Sequence, residues 1–470
     1  MNTDQQVQIF GDLTRLRDAL PAIIADMEQH VPYASALAMQ SAGTKVQVNH
    51  REQNVSQTDP SQGVVLTAFN GAYLEELALG TLDPDDIARE ARDFAADVAV
   101  RVVDEGLHID PGAPQEAHFA TPCQRPPGGV PVAEKFDCCR ALHGRLSGGD
   151  ERIVNAMVNY ADSTEYKVFA NRTRRLSQAI VRTRLMALVF MAQNGRTEYS
   201  WITKDGTAGF EVIEVTDAAI EGLWSTVRDL LTAERIVPGM YDVVTGPKMS
   251  GIIAHEAFGH GVELDMFLKG RARSQEYLGK AVASPLVTMM DDPTVPGAYG
   301  SYFFDDEGQP AAPTTIIADG VFQRGLSDLT AATRLRVPRS ANGRRESFAR
   351  KVYARMSNTF FQPGDADPDD MIRSLDYGLY LTHASSGMED PKGWGMQVTC
   401  QFAREVREGE FTGRVFAPVV ATGYVPDLLQ SVTAVGNDFA LSGGNCGKGE
   451  KEFVPVSSGG PHLRMKARLS

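Results

Sequence analysis

Beyond Val237-Pro238-Gly239 the sequence is cut by glycines into short apolar runs that close on turn residues. Thr314 to Ala318 meets Asp319-Gly320 and then Val321-Phe322; Met396 to Val406 meets Arg407-Glu408-Gly409-Glu410 and then Phe411 to Val420. Asp-Gly and Glu-Gly pairs between β-branched or aromatic runs are hairpin signals, because glycine takes the positive φ that such turns need. Short runs of this kind bury one face by pairing with neighbours, so this half is expected to be antiparallel sheet. Tyr241 to Val244 reads as a further strand, and a helix is expected after Thr245-Gly246-Pro247.

Upstream the period is different. Leu13, Leu16, Leu20, Ile23, Ile24 and Met27 recur at helical spacing between about Phe10 and Glu28, with Pro21 predicting a kink or restart. Ala34 to Met39, Lys45 to His50 and Val64 to Ala68 read as a small sheet, separated by glycine or by Asp59-Pro60-Ser61. Asp83-Pro84-Asp85-Asp86 is a helix start, with a capping acid, proline in the first turn, and Ile87, Ala91, Phe94 and Val98 along one face. Prolines and glycines between about 106 and 132 predict a linker. Two helical stretches are expected after it, then β-like runs such as Ala179 to Arg182 and Ala187 to Met191, then a helix over Asp217 to Leu231. The fold class expected is α+β in two domains: residues 1–237, mixed helix and sheet, and 238–470, a strand-rich antiparallel β domain that carries a helix over His255 to His260. At roughly 150 residues per domain, 470 residues allow two or three.

Composition narrows the function. Lys and Arg total 46 against 60 Asp and Glu, a formal charge of −14, which argues against direct binding of nucleic acid. No apolar run approaches the roughly 18 residues of a membrane span, and the opening residues lack the basic and apolar regions of a signal peptide. Five cysteines, irregularly spaced, make neither a disulfide framework nor a paired zinc module. A cytoplasmic protein is expected.

The chemical signal is His255-Glu256-Ala257-Phe258-Gly259-His260. Two imidazoles flanking a carboxylate on a helical segment are the arrangement in which His ligates zinc and Glu acts as general base toward water. The spacing is unusual. Histidines four apart lie about 40° from one another around a regular helix, whereas five apart they lie about 140° away. For both to reach one metal the turn must be distorted or end, and Gly259 is where a bulge or change of direction is cheapest.

A third donor is needed, and Cys446 is the candidate: it sits in Gly443-Gly444-Asn445-Cys446-Gly447-Lys448-Gly449, where the main chain can approach closely and Lys448 is expected to favour thiolate. Cys138, Cys139 and Cys400 read as structural. The same glycine run fails the phosphate-loop pattern in spacing and in Gly449 after Lys448. Acidic clusters at Asp291-Asp292, Asp305-Asp306-Glu307 and Asp365 to Asp370 lack the calcium-loop pattern and read as solvated turns or caps, with Asp369-Asp370 in a helix's first turn.

The segment from His255 to Asp265 resembles the H-E-x-x-x-H signature of the TldD/PmbA family of metalloproteases. Gly343-Arg344-Arg345, Arg355-Met356-Ser357-Asn358-Thr359, and Cys446-Gly447-Lys448 followed by Pro455 and Gly459-Gly460-Pro461 fall in that family's order, from about Tyr241 to the C-terminus. The resemblance implies a zinc-dependent peptidase acting on unfolded or extended peptides, of the TldD catalytic type. His255, His260 and Cys446 would be ligands to one zinc ion and Glu256 the general base. It implies a dimer, either of this chain with itself or with an inactive TldE/PmbA-type subunit. Glu263 and Asp265 are expected to support the ligands or face substrate; Arg344, Arg345 and Arg355 are expected to meet substrate carbonyls or partner acids. The alternatives are a non-catalytic scaffold or modulator subunit with a structural metal site, and a small-molecule amidohydrolase.

Overall fold

The structure, a computed structural model, describes residues 3–449 and 452–470, apart from the side chains of residues 3–12, 59 and 60. Helix α1 (Thr3–Met27) is followed by β1 (Tyr33–Asn49), β2 (Gln53–Phe69), β3 (Leu74–Leu79), α2 (Pro84–Ala99), β4 (Gln115–Ala120), α3 (Val132–Ser147), β5 (Ile153–Asn171), β6 (Arg174–Gln193), β7 (Arg196–Gly206) and α4 (Asp217–Leu231). The strands form one sheet in the order β3-β2-β1-β5-β6-β4, with β7 beside β4 along the far edge of β6.

Strand alternation divides its two faces. Ala34, Ala36 and Ala38 lie under α1 and α2 against Leu16, Leu20, Ile87 and Ala91, while Val46 and Val48 lie under α3 and α4 with Leu142, Leu146, Leu223 and Val227. Leu37 and Met39 point the other way and pack with Phe169, Leu176 and Phe304. That contact seats the sheet on the rest of the chain.

Several local expectations change. The runs before and after Gly43 are one strand, because a register shift between Ser41 and Gly43 absorbs the glycine as a bulge. Likewise Ala179 to Arg182 and Ala187 to Met191 belong to the single 20-residue β6; burial on both faces over part of its length hides the alternation. One helix, α3, follows the proline-rich segment instead of two, and that segment itself contains β4. Pro21 lies within a continuous α1. The helix start at Asp83 is as read: its carboxylate accepts from the Asp85 and Asp86 N–H groups.

The remaining elements are β8 (Gly239–Thr245), α5 (Pro247–Ile253), α6 (Leu264–Leu268), β9 (Met289–Asp291), β10 (Thr314–Ala318), β11 (Val321–Phe322), α7 (Leu329–Leu335), β12 (Gly343–Arg344), β13 (Tyr353–Ala354), β14 (Asn358–Phe361), α8 (Pro368–Arg373), β15 (Tyr377–Asp390), β16 (Gly395–Arg407), β17 (Glu410–Phe416), β18 (Val419–Tyr424), α9 (Val425–Gln430), β19 (Ala434–Val435), β20 (Ala440–Lys448), β21 (Glu452–Gly460) and β22 (Leu463–Leu469). One sheet runs β11-β10-β9-β14-β21-β20; another runs β15-β8-β22-β18-β16-β17, and a β15–β16 pairing closes its five inner members into a ring. Both expected hairpins form, β10–β11 and β16–β17, although the second partner breaks at Ala417-Pro418 into β17 and β18. The sheets are not purely antiparallel: β4–β6, β8–β15 and β14–β21 pair in parallel, each joined by a long crossover. The fold is α+β. No helix among the described residues is long and apolar enough to cross a membrane.

Candidate metal centre

The helix that carries the histidines is held between the two downstream sheets. Pro247 occupies its first turn, and α5 packs on β20 and β21 on one side and on β15 on the other. A Cβ on Gly251 would lie 2.4 Å from the Gly459 nitrogen, so the helix rests directly on the β21 backbone.

After Ile253 the winding widens. Ala254–Gly259 is a π-turn and His260–Val262 a single 3₁₀ turn. Bonding from i to i+5 brings residues five apart to the same side, which a regular α-helix cannot do. The His255 and His260 rings meet edge to face, with centroids 5.0 Å apart. Gly259 has a different reason from the one expected. Its φ of −63° and ψ of −51° are ordinary helical values, but a Cβ there would lie 2.2 Å from Met356 Sδ. The position needs room, not a change of direction.

Cys446 reaches the same point from β20, where it pairs with Val454. Its Sγ is 3.6 Å from His260 Nε2, and the donor atoms of His255, His260 and Cys446 all lie within 4.8 Å of one another. Both His255 and Cys446 are buried, and His255 Nδ1 has no hydrogen-bond partner. Two imidazoles and a thiol converging with an orphaned buried nitrogen fit a metal with a taste for nitrogen and sulfur. Glu256 Oε2 is 3.9 Å from His260 Nε2, and a Cβ on Gly387 of β15 would lie 2.3 Å from the Glu256 Cγ.

Behind these groups lies a charged network. His260 Nδ1 is 3.2 Å from Glu263 Oε2, which also accepts at 2.8 Å from Lys448 Nζ; Lys448 donates further to Asp265 Oδ1 at 2.6 Å and to the Ala354 carbonyl at 3.0 Å. Glu263 and Asp265 are both buried: Glu263 meets His260 and Lys448, and Asp265 meets Lys448 and Lys269. Lys448 is spent on these carboxylates. Burial pushes the Cys446 thiol up, but His260 and His255 outweigh it and leave the thiol well below its usual value. Burial likewise opposes charge on His260, yet Cys446 and Glu263 hold it well above the usual imidazole range. For Glu263, Lys448 and His260 overcome burial and keep the carboxylate ionised.

One site residue carried no sequence signal. Glu389, near the end of β15, accepts from the Gly261 N–H at 2.9 Å, and burial, reinforced by Glu256, holds its carboxyl well above the ordinary range. It belongs to no motif, and only β15's approach to the π-turn brings it there. The arginines expected to meet substrate or partner are internal. Arg344 donates to the Met356 and Pro455 carbonyls, Arg345 to Glu76 of β3, and Arg355 to the carbonyl of Cys446 itself. Asp291, Asp305, Asp306 and Glu307 are buried, not solvated; Asp291, for example, is satisfied by Asn342, Ser357 and Thr359. Asp369 and Asp370 do sit in the first turn of α8, capped by Asp367. Cys139 and Cys400 are buried, but Cys138 is exposed.

A family model described as the PmbA/TldA metallopeptidase C-terminal domain matches residues 238–468. The chain is 30% identical over 456 residues to a metalloprotease of Methanothermobacter thermautotrophicus, covering 96% of this chain and 97% of that one. It is 33% identical over 347 residues to a metalloprotease of Methanocaldococcus jannaschii, covering 73% and 75%. Two solved structures share the fold. One, from Thermotoga maritima and described as a modulator of a DNA gyrase, has a TM-score of 0.78 at 16% identity over 97% of this chain and 100% of that chain. The other, TldE from Thermococcus kodakarensis, has a TM-score of 0.74 at 15% identity over 96% and 99%.

Proposed function

The chain belongs to the TldD/PmbA family, and from that premise we propose that it is a zinc-dependent peptidase of the TldD type acting on unfolded or extended peptides. The observation that carries the proposal is the convergence of His255, His260 and Cys446 donor atoms within 4.8 Å, beside the Glu256 carboxylate. Three protein donors leave a coordination position free, as catalytic zinc requires, whereas a structural site fills all four from protein. A thiolate with two imidazoles favours zinc over manganese or magnesium.

When bound, zinc supplies a Lewis acid that polarises water and the peptide carbonyl. Glu256 Oε2 takes the proton of the attacking water and returns it to the leaving amine nitrogen. Glu263 accepts from His260 Nδ1–H and so keeps Nε2 free as the donor nitrogen. Lys448 keeps Glu263 ionised for that purpose. The π-turn aims both imidazoles to one side.

The rest of the reading is of the same standing. We place a boundary between domains 1–237 and 238–470, the chain in the cytoplasm, and its assembly as a dimer, with itself or with a TldE/PmbA-type subunit. The likeness of the TldE fold supports the last point, since two chains of one fold can pair about a pseudo-twofold axis. The test is metal content by mass spectrometry, alongside cleavage of an unfolded peptide, for the purified protein and for Glu256→Gln, His260→Ala and Cys446→Ala. About one zinc per chain is expected in the wild type and in Glu256→Gln, with cleavage only in the former. Cleavage undiminished in Glu256→Gln would refute the catalytic role, and metal retained in Cys446→Ala would remove that ligand.

A further inference from the structure

Between the loop at residues 106–113, the start of β6 and the C-terminal end of α7 lies a cavity of about 650 Å³. Its charged and amide lining is His108, Asp110, Arg174, Gln309, Arg336 and Arg339, with Thr333 beside them. Arg174 is 8% exposed; its Nη1 donates to the Gly308 carbonyl at 2.8 Å and to Gln309 Oε1 at 3.3 Å, while its buried Nε has no partner. Arg339 gives one Nη2 bond to the Glu307 carbonyl at 3.1 Å, lies 3.8 Å from Asp305 and also leaves its buried Nε unpartnered. The Arg336 side chain is exposed and has no hydrogen-bond or ion-pair partner among the described residues, and Arg174 feels Asp305 and Asp110 only at longer range, with no carboxylate in ion-pair contact.

The 106–113 loop is built around Arg174. Gly112 has φ of +82°, and a Cβ there would lie 2.0 Å from Arg174 Nη2, so the loop is moulded over the guanidinium. The last carbonyls of α7 are turned inward: Ala332 accepts from the Val337 N–H and Thr333 from the Arg336 N–H. Asp110, the one carboxylate in the lining, is exposed and accepts from the Gly112 N–H at 2.8 Å. Buried donors without acceptors need an explanation, and guanidinium groups are matched by oxyanions through parallel hydrogen bonds.

We propose that this cavity binds the phosphoryl group of a small organic molecule. With Arg339 beside Asp305, Arg174 and Arg336 are left without a carboxylate in contact, and two guanidinium groups are balanced better by a phosphoryl dianion than by one carboxylate. The volume lies in the range of small-molecule sites, and Leu329, Val337 and Pro338 add apolar wall for the body of the ligand. None of these residues belongs to the metal centre, so the site stands independently of the peptidase reading.

The test is calorimetric titration of the full-length protein with inorganic phosphate, ribose 5-phosphate and acetate at constant ionic strength, repeated on Arg336→Ala, Arg174→Gln and Cys446→Ala. Saturable binding of ribose 5-phosphate, tighter than phosphate, with none of acetate, is expected. Arg336→Ala should weaken it roughly tenfold, the worth of one charge-assisted hydrogen bond. Cys446→Ala should leave it unchanged, which excludes capture at the metal centre. Absence of saturable binding, equal binding of acetate, phosphate binding tighter than ribose 5-phosphate, indifference to Arg336→Ala, or loss in Cys446→Ala would each overturn the proposal. Should Arg174→Gln fail to fold, Arg336→Ala decides alone, because that side chain is exposed and has no partner among the described residues.

Discussion

Replacing Lys448 by methionine should cost the protein both stability and metal, and the size of each loss follows from its partners. Nζ holds Glu263 at 2.8 Å, Asp265 at 2.6 Å and the Ala354 carbonyl at 3.0 Å, with the lysine side chain 12% exposed and those of the acids 1% and 9%. Removing one partner of a buried ion pair costs about 3–5 kcal/mol, because the charge left behind keeps its desolvation penalty. Here each acid retains a second partner: Glu263 keeps His260 at 3.2 Å and Asp265 keeps Lys269 at 3.0 Å. The loss should therefore fall near the lower end, about 3 kcal/mol. Without Lys448, Glu263 turns or takes up a proton and ceases to fix His260, so zinc affinity should fall about 10- to 100-fold. Urea unfolding in the presence of a chelator measures the first effect, and zinc competition against a chromophoric chelator the second. Lys269→Met is the control; its side chain is 48% exposed, so its loss should cost less than about 1 kcal/mol. An unfolding midpoint unchanged in Lys448→Met, or zinc affinity within about twofold of wild type, would refute the reasoning.

Gly259→Ala forces a methyl to 2.2 Å from Met356 Sδ and should destabilise by about 1–3 kcal/mol in thermal unfolding, with Met356→Ala restoring part of the loss if crowding is the cause. Glu256→Gln should lower kcat about 10²- to 10⁴-fold while metal content stays at wild-type level; a fall in KM alone would contradict a proton-transfer role. His383, stacked on Phe402, is pushed down to about 4, first by burial and then by Lys248 and Arg404. In the unfolded chain it protonates near 6.5. The unfolded state thus binds the extra proton first, so His383 contributes stability above about pH 6.5 that is lost as pH falls toward 4, at most about 3 kcal/mol. The urea midpoint of His383→Gln should lose that part of its pH slope, and an unaltered slope would show that the imidazole is not buried as a neutral group.

What could be read from the sequence was local. The Asp83 cap, the Asp319-Gly320 hairpin and the Asp217–Leu231 helix each carry their signal within a few residues, and each forms. The demand that a five-residue histidine spacing be met by a distorted turn was also local, and Ala254–Gly259 supplies the distortion. What failed depended on partners remote in the chain. The cause of Gly259 is Met356, nearly a hundred residues away; the fate of Lys448 is set by Glu263 and Asp265; Asp306 meets Lys167 of the first sheet, and Asp305 and Glu307 accept from the Gly343 and Leu329 N–H groups. Parallel pairing of β8 with β15 has no sequence signature either, since a crossover fixes it and not a turn.

The register of β20 explains how segments so far apart make one centre. Residues i and i+2 of a strand point to the same face, so Cys446 and Lys448 are presented together while Gly447 points away. Cys446 Sγ meets Nε2 of His260, and Lys448 meets the Glu263 that holds Nδ1 of the same ring. One strand thereby addresses both nitrogens of one imidazole, one directly and the other through a carboxylate. A one-residue slip of β20 against β21 would turn both side chains away at once. Nine paired positions, Ala440–Gly460 through Lys448–Glu452, oppose such a slip, and the Arg355 guanidinium on the Cys446 carbonyl pins the strand at the critical residue. Arg355, expected to meet substrate carbonyls or partner acids, thus acts instead on the backbone that carries the thiol, which ties the donor set to the sheet more firmly than side-chain packing alone would.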